Sequence, residues 1–492
     1  MPETGKGVRE APQETVYDGP GEFDRPATNA AHLVVDGGRA PHHSGPRTVT
    51  VPGDKSVSHR ALLAALLPGA PAHLTVRNAN LGGAVRALLP ALHALGLRVD
   101  DVDDDGGGTL VVRRGAAPVP QQVRDHPHRI SWPADVPYLE TGGSSAAARL
   151  LIGMLAGTGT RAVVDGDDVL RHRPMEWIVD PLRQLGAVID YLGELGRLPV
   201  VVREPVCRPG TVELTVGSAQ ARSAVLLAVA AAGLAATVRH PVRSRDHTER
   251  MLAAFGGGLD EHGRTLTWDG GPYTVPPVID VPADPSLAAY PVAAHLLWGD
   301  GSELRVPGVG LNPTRLGFFE VLRRAGAGIS YEDERSTSGG EPTGTVVARG
   351  GLDGLESVRV DEPAVLHALI DEVPLLAAVA ARLPGTSWIG CAEELRFKET
   401  DRLTTTARMV AAFGARVEVA ADGLTVTGGA PLRAGTVPGF EDHRIAMAAA
   451  TLATSLPGRT TVHGGACHHT SFPDFADVQR AVGARIVEDS QQ

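Results

Sequence analysis

Lys55, Ser56 and Arg60 stand in VPGDKSVSHRALLAALL (51–67), where a turn of small residues runs directly into an apolar helix. A helix N-terminus presents unpaired N–H groups and the positive end of a dipole, and small residues let an anion approach them. Lys55 adds a compact charge and Ser56 a hydroxyl. Arg60, four residues beyond Ser56, adds a fork of donors on the same face. Two more segments repeat the pattern: YLETGGSSAAARLLIGML (138–155), with Ser145 and Arg149, and GSAQARSAVLLAVAA (217–231), with Ser218 and Gln220. One such turn is an ordinary cap. Three in one chain point to a ligand with several negative groups.

Other charges gather at helix mouths. Arg171 and Arg173 precede Pro174 in LRHRPMEW, and SRDHTERML carries Ser244, Arg245 and His247. ELRFKETDRL holds Arg396, Lys398, Glu399, Asp401 and Arg402, and His443 and Arg444 precede the Ala-rich helix of EDHRIAMAAA. Asp371 and Glu372 lie between apolar stretches in LIDEVPLLAAVAA, an awkward place for acids unless they cap a helix or do chemistry. An acid and a lysine in one cleft can exchange a proton with a substrate hydroxyl or a carbon centre.

Composition narrows the setting. The 492 residues carry a net charge of −11 and are 43% hydrophobic, which excludes a fully disordered chain and argues against nonspecific nucleic-acid binding. Of 46 basic residues only three are lysine: Lys6, Lys55 and Lys398. A lysine retained in so Arg-rich a chain marks a place where a point charge or proton carrier serves better than a guanidinium. Cys207, Cys391 and Cys467 are few, odd in number and far apart, which fits a reducing compartment. The longest apolar run, Ala224–Val238, is too short and too rich in Ala and Gly to span a bilayer, and the first residues lack an apolar signal core. A cytoplasmic protein, monomeric and without a membrane partner, is the expectation.

These side chains need a scaffold, and a repeat supplies its outline. Helix-like segments end at Gly96, Gly186, Gly256, Gly326, Gly414 and Gly483, each followed by a short β pattern, with spacings of 90, 70, 70, 88 and 69 residues. A glycine there suits the left-handed residue that closes a helix. Six units of helix and strand predict an α/β protein in two domains. Residues 1–30, polar and aperiodic, read as a disordered tail. His463, Cys467, His468 and His469 are a superficial metal cluster, but adjacent histidines on a strand would point apart, so no metal is expected. No nucleotide fingerprint follows a strand, and no cofactor is expected.

These ordered motifs resemble the enolpyruvyl transferases, and within them the EPSP synthase family, over roughly residues 45–480. The marks are GDKSVSHRALLAA, GDDVLRHRPM, GRLPVVV, SAQARSAVLLA, SRDHTERML, DEVPLLAAVAA, EELRFKETDRL and EDHRIAMAAA. The resemblance implies two inverted (inside-out) α/β barrels of three units each, one over 54–284 and the other over 30–53 plus 285–492, with the active site in the cleft between them. It implies transfer of the enolpyruvyl group of phosphoenolpyruvate (PEP) to the 5-hydroxyl of shikimate 3-phosphate, without cofactor or metal. By motif, Lys55, Ser56 and Arg60 resemble the groups that hold the substrates at the domain junction, with Lys55 reaching both. Ser218, Gln220 and Ser244 look like contacts to the shikimate phosphate and ring. Arg173, Arg402 and Arg444 look like clamps for PEP. Asp371 resembles the group that handles the hydroxyl proton, and Glu399 with Lys398 the pair serving methylene protonation and orientation.

The chain departs from the family pattern at GGSSAAAR (142–149). Aligned on Arg149, Gly143 replaces Asn, Ser145 replaces Gly and Ala146 replaces Thr, so Ser145 brings a Cβ and a hydroxyl where backbone would approach PEP. Gly83 and Ala84 replace acidic residues, and Thr470 stands where some members carry lysine. These changes motivate a second reading, a relative that acts on a related phosphorylated cyclitol by enolpyruvyl transfer to another hydroxyl or by elimination of phosphate without PEP.

Overall fold

The computed structural model describes residues 15–18, 31–38, 45–102, 108–115 and 136–489. The six glycines of the repeat all take positive φ, from 82° at Gly96 to 107° at Gly326. Each ends its helix in the left-handed conformation that a Cβ disfavours. Among the described residues the strands form six sheets, five of four strands and one of five, and every sheet contains one parallel pair with antiparallel neighbours. The fold is α/β.

Apolar helices pack on these sheets. We label those that reach the site α1 (Lys55–Leu63), α2 (Ser145–Thr158), α3 (Ala219–Ala232), α4 (Pro285–Trp298), α5 (Val373–Ala380), α6 (Arg402–Ala412) and α7 (His443–Thr454). Their high Ala and Gly content follows from close approach. A Cβ on Gly153 of α2 would lie 2.4 Å from the Ala224 carbonyl oxygen of α3, and one on Gly157 would lie 2.4 Å from that of Ala228. Larger residues would push α2 and α3 apart and leave unfilled space.

Two large hydrophobic cores result. One collects side chains between Val57 and Val281, including α1 to α3; the other collects Leu33–Val51 and Ala283–Ile486, including α4 to α7. The chain passes between them twice, side by side. Gly53 bridges Ala283 in antiparallel fashion, Asp54 N–H donates to the Pro282 carbonyl at 2.8 Å, and Asp284 N–H donates to that of Pro52 at 2.9 Å.

Thr15–Asp18 corrects the reading of 1–30 as a disordered tail. It is an edge strand antiparallel to Arg416–Val419, with Tyr17 packed against the second core. Four residues are too few to show a period, and their hydrogen-bond partners lie far along the chain. The remaining residues of 1–30 that precede Ala31 fall outside the described residues. Among the described residues no single helix is long and apolar enough to cross a membrane.

Candidate active site

The site is built on the double crossing. Asp54 caps α1, accepting from the Ser56 and Val57 N–H groups at 2.6 and 3.0 Å. Asp284 caps α4 through Ser286 N–H at 2.8 Å and also accepts the Lys55 N–H at 3.2 Å. Arg315 joins the two caps: one guanidinium nitrogen donates to Asp54, the other to Asp284 at 2.9 Å and the Ser286 hydroxyl at 2.8 Å. All three charged groups are buried, and the Asp54 carboxyl, although burial pushes it up, is held well below its usual range, chiefly by the Arg315 charge. His247 Nδ1 donates to Glu341 at 2.7 Å, an assignment that leaves Nε2 to accept from Arg315 at 3.3 Å. Lys55 is thereby fixed by a network from both cores.

Beyond it lies a cleft of about 200 Å³, lined by the first turns of α1, α2, α3, α6 and α7. Five positive helix ends meet there. Lys55, Ser56, Arg60, Ser145, Arg149, Arg173, Ser218, Gln220, Ser244, Asp371, Lys398, Glu399 and Arg402 all line it. Arg444 is the exception: it lies buried behind Lys55 and Asp371, against the Tyr290 hydroxyl, and one of its terminal nitrogens has no hydrogen-bond partner. It is the second residue of α7, and its neighbour His443 lines the cleft.

Cations and carboxylates pair across the cleft. Arg245, from the first core's side, donates to Asp371 at 2.7 Å, and Arg173 approaches Glu399 at 3.2 Å. Arg402 is anchored through Nε to buried Asp442 at 2.9 Å and turns its other edge to Glu399 and, at 3.6 Å, to Asp371. Lys398 binds Glu394 at 2.5 Å. Burial alone would raise Asp371 and Glu399, but the surrounding cations dominate and hold both well below the ordinary carboxylate range, so both are ionised. Glu372, next to Asp371, goes the other way: burial and the Asp371 charge push it up, and neither carboxyl oxygen has a partner. Burial, followed by the Arg444 charge, pushes the Lys55 ammonium below its usual 10.5.

The small-residue turns are held by their own contacts. Ser144 and Ser218 cap α2 and α3, and Arg60 is held by one donor each to Thr248 and Ser223, both at 2.7 Å, and to the Ser56 carbonyl at 2.8 Å. Arg149 donates to Gln220 at 2.7 Å and lies over the Trp177 ring, 5.4 Å from its centre. The Ser145 hydroxyl accepts from Arg173 at 3.2 Å. A Cβ at Gly143 would stand 2.8 Å from an Asp167 carboxylate oxygen, so a larger residue there requires that side chain to shift. The structure adds Arg245, Trp177, Glu394, His443 and Thr470 to the lining. Arg245 and His443 already stood in noted motifs without a partner. Arg315, in LNPTRLG, shares the signature of a basic residue just before a helix, but nothing in its neighbourhood reveals the two aspartates it meets.

A family model described as EPSP synthase (3-phosphoshikimate 1-carboxyvinyltransferase) matches residues 45–478. The chain belongs to the EPSP synthase family. A 3-phosphoshikimate 1-carboxyvinyltransferase of Roseiflexus castenholzii is 40% identical over 444 residues, covering 88% of this chain and 96% of that protein. One from Desulforamulus reducens is 37% identical over 435 residues, covering 88% and 96%. Among solved structures, an EPSP synthase from Acinetobacter baumannii superposes with a TM-score of 0.77 at 30% identity, covering 93% of this chain and all of that one. The enolpyruvyl transferase NikO from Streptomyces tendae shares the fold, with a TM-score of 0.70 at 18% identity, over 94% of this chain and all of that one. The turn at 142–149 lies inside the residues that the family model matches.

Proposed function

We infer that this chain transfers the enolpyruvyl group of PEP to the 5-hydroxyl of shikimate 3-phosphate and releases phosphate. The observation that carries the reading is Asp371: an ionised carboxylate at the cleft, facing Arg245 and Arg402 and close to Lys55. Asp371 takes the hydroxyl proton as the oxygen bonds to C2 of PEP. The PEP methylene carbon takes a proton in the same addition, with Glu399 and Lys398 serving that side. The tetrahedral intermediate then collapses: the methyl carbon returns a proton to the Glu399 and Lys398 side, the carbon–carbon double bond re-forms, and the carbon–oxygen bond to phosphate breaks with its electron pair leaving on phosphate. Arg173, Arg402, Arg444 and Lys55 meet the carboxylate and phosphate charges, and the unpartnered terminal nitrogen of Arg444 supports its place among them. Ser218, Gln220, Ser244, Ser56 and Arg60 form the side for shikimate 3-phosphate, and Arg149 orients Gln220. Preorganised cations in a water-poor cleft stabilise the charge on departing phosphate.

The architecture in this reading is two inverted α/β barrels, 54–284 and 30–53 plus 285–492, each made of three repeated units. The two hydrophobic cores and the six sheets support it. The enzyme works as a cytoplasmic monomer.

The experiment incubates purified enzyme with shikimate 3-phosphate, with and without PEP, and follows phosphate and product mass. Phosphate released only with PEP, with a product heavier by the enolpyruvyl unit, is expected. One observation favours the second reading: Ser145 engages Arg173, a PEP-side cation. Phosphate released without PEP would replace transfer by elimination. No turnover with shikimate 3-phosphate but turnover with another phosphorylated cyclitol would replace the acceptor.

A further inference from the structure

Adjacent histidines on a strand point apart, and on that ground no metal was expected at His468 and His469. The structure removes the ground. Both lie in the short 3-10 turn Gly465–Thr470, with ring centroids 4.1 Å apart and planes inclined by 32°. Both Nε2 atoms converge on Glu488 in the strand Ile486–Asp489, His468 at 3.0 Å from one carboxylate oxygen and His469 at 3.0 Å from the other.

The tautomer adds an independent argument. His468 Nδ1 lies 2.8 Å from the Phe472 carbonyl oxygen, which can only accept, so Nδ1 carries the ring hydrogen. In the neutral ring the Nε2 lone pair then faces a carboxylate oxygen, and a positive centre between them resolves the repulsion. A ligating histidine is commonly held in this way, its other nitrogen bonded to a backbone carbonyl. The ligand atoms of the three residues lie within 4.8 Å of one another, within reach of one ion at metal–ligand distances of about 2.0–2.2 Å. The His468 side chain is fully buried and that of His469 half-exposed, so one side of the cluster opens to water.

We propose that His468, His469 and Glu488 bind one divalent transition-metal ion, of the zinc class, with the remaining coordination position open to solvent. Two imidazoles and one carboxylate suit zinc or cobalt and disfavour magnesium and calcium, which prefer all-oxygen sites. The role is mechanical. The ion ties the C-terminal strand to the turn whose Thr470 lines the cleft and whose neighbouring Ser471 carbonyl accepts from Asn80 at 3.2 Å.

The test uses the full chain after chelator treatment, titrated with Co²⁺ and followed by visible absorption, then by Zn²⁺ competition. A saturable tetrahedral cobalt spectrum at one ion per chain is expected, abolished by zinc. His469→Ala and Glu488→Gln, both at the solvent side, should each weaken binding by at least ~10-fold. Zn²⁺ at a concentration that saturates the parent chain should raise its melting temperature by more than it raises that of His469→Ala. His468→Ala removes a buried ring and can unfold the turn, so the other two variants decide the outcome. No saturable binding, or binding that both variants retain in full, would overturn the proposal; the cluster would then be a proton-shared histidine–carboxylate pair.

Discussion

The double crossing and the cleft are built from the same chemistry, arginine against carboxylate, and do opposite work. At the crossing, the side chains of Arg315, Asp54 and Asp284 are 2–3% exposed, and the two carboxylates also cap helices. No solvent or substrate reaches them. In the cleft the acids stay partly open, 21% for Asp371 and 33% for Glu399, so an incoming anion can compete for Arg245, Arg173 and Arg402. Arg402 combines both modes, one edge buried against Asp442 and the other turned to the cleft. Burial with fully committed partners makes a fixed joint; partial exposure makes an exchangeable pair.

The largest expected effect is on chemistry. Lys55→Met should lower kcat by about 10⁴-fold while the melting temperature changes little, because in the proposed reading it removes the group that reaches both substrates while the cap network remains. Steady-state kinetics with a parallel melt checks this, and near-wild-type turnover would remove Lys55 from its role. At the crossing the order reverses. Arg315→Met leaves two buried carboxylates facing each other and should cost about 3–5 kcal/mol in urea unfolding. Arg315→Lys should recover part of it, with one ammonium serving in place of a two-pronged fork. A loss no larger than that for a surface arginine such as Arg459 would erase the distinction between the two regions.

A pH profile sharpens the comparison. Lys55 loses its proton more readily than an ordinary lysine because burial and Arg444 disfavour its charge, so the alkaline fall in kcat/KM should lie below pH 10.5. Asp371 is ionised well below 3.8, so it should not set an acid limb above that pH. An alkaline limb at or above 10.5 would contradict the reading of Lys55. The smallest effect is at the altered turn. Ser145→Gly frees Arg173 from the hydroxyl and removes a Cβ, and should lower the KM for PEP a few-fold, by roughly 1 kcal/mol of binding. An unchanged or higher KM would show that the serine does not crowd the pocket.

Much of the site was legible in the chain because its signals are local. A helix mouth that binds anions needs a short cap, small neighbours and a basic residue within a turn, and 51–67, 138–155 and 217–231 carry all three. The glycines at helix ends were legible because only a residue without Cβ takes positive φ cheaply. Lys55 and Lys398 stood out by composition before any partner was known. Arg444 was legible as a basic residue at a helix start, but its motif does not say which groups it meets; the structure sets it beside Lys55, Asp371 and Tyr290. His468 and His469 misled because adjacent histidines point apart on a strand, and here a tight turn forms instead.

The sequence alone therefore determined the family, the helix mouths, the helix-ending glycines and the set of charges that serve the cleft. Each depends on residues within a turn or two of one another. Only the tertiary structure decided which charge meets which: Arg245 with Asp371, Arg315 between Asp54 and Asp284, the two histidines on Glu488, and Thr15–Asp18 on a distant sheet edge. Those pairings cross long stretches of chain and are set by how the two cores pack. Whether an arginine becomes a joint or an exchangeable clamp depends on the water left around it, and water is excluded only by the folded whole.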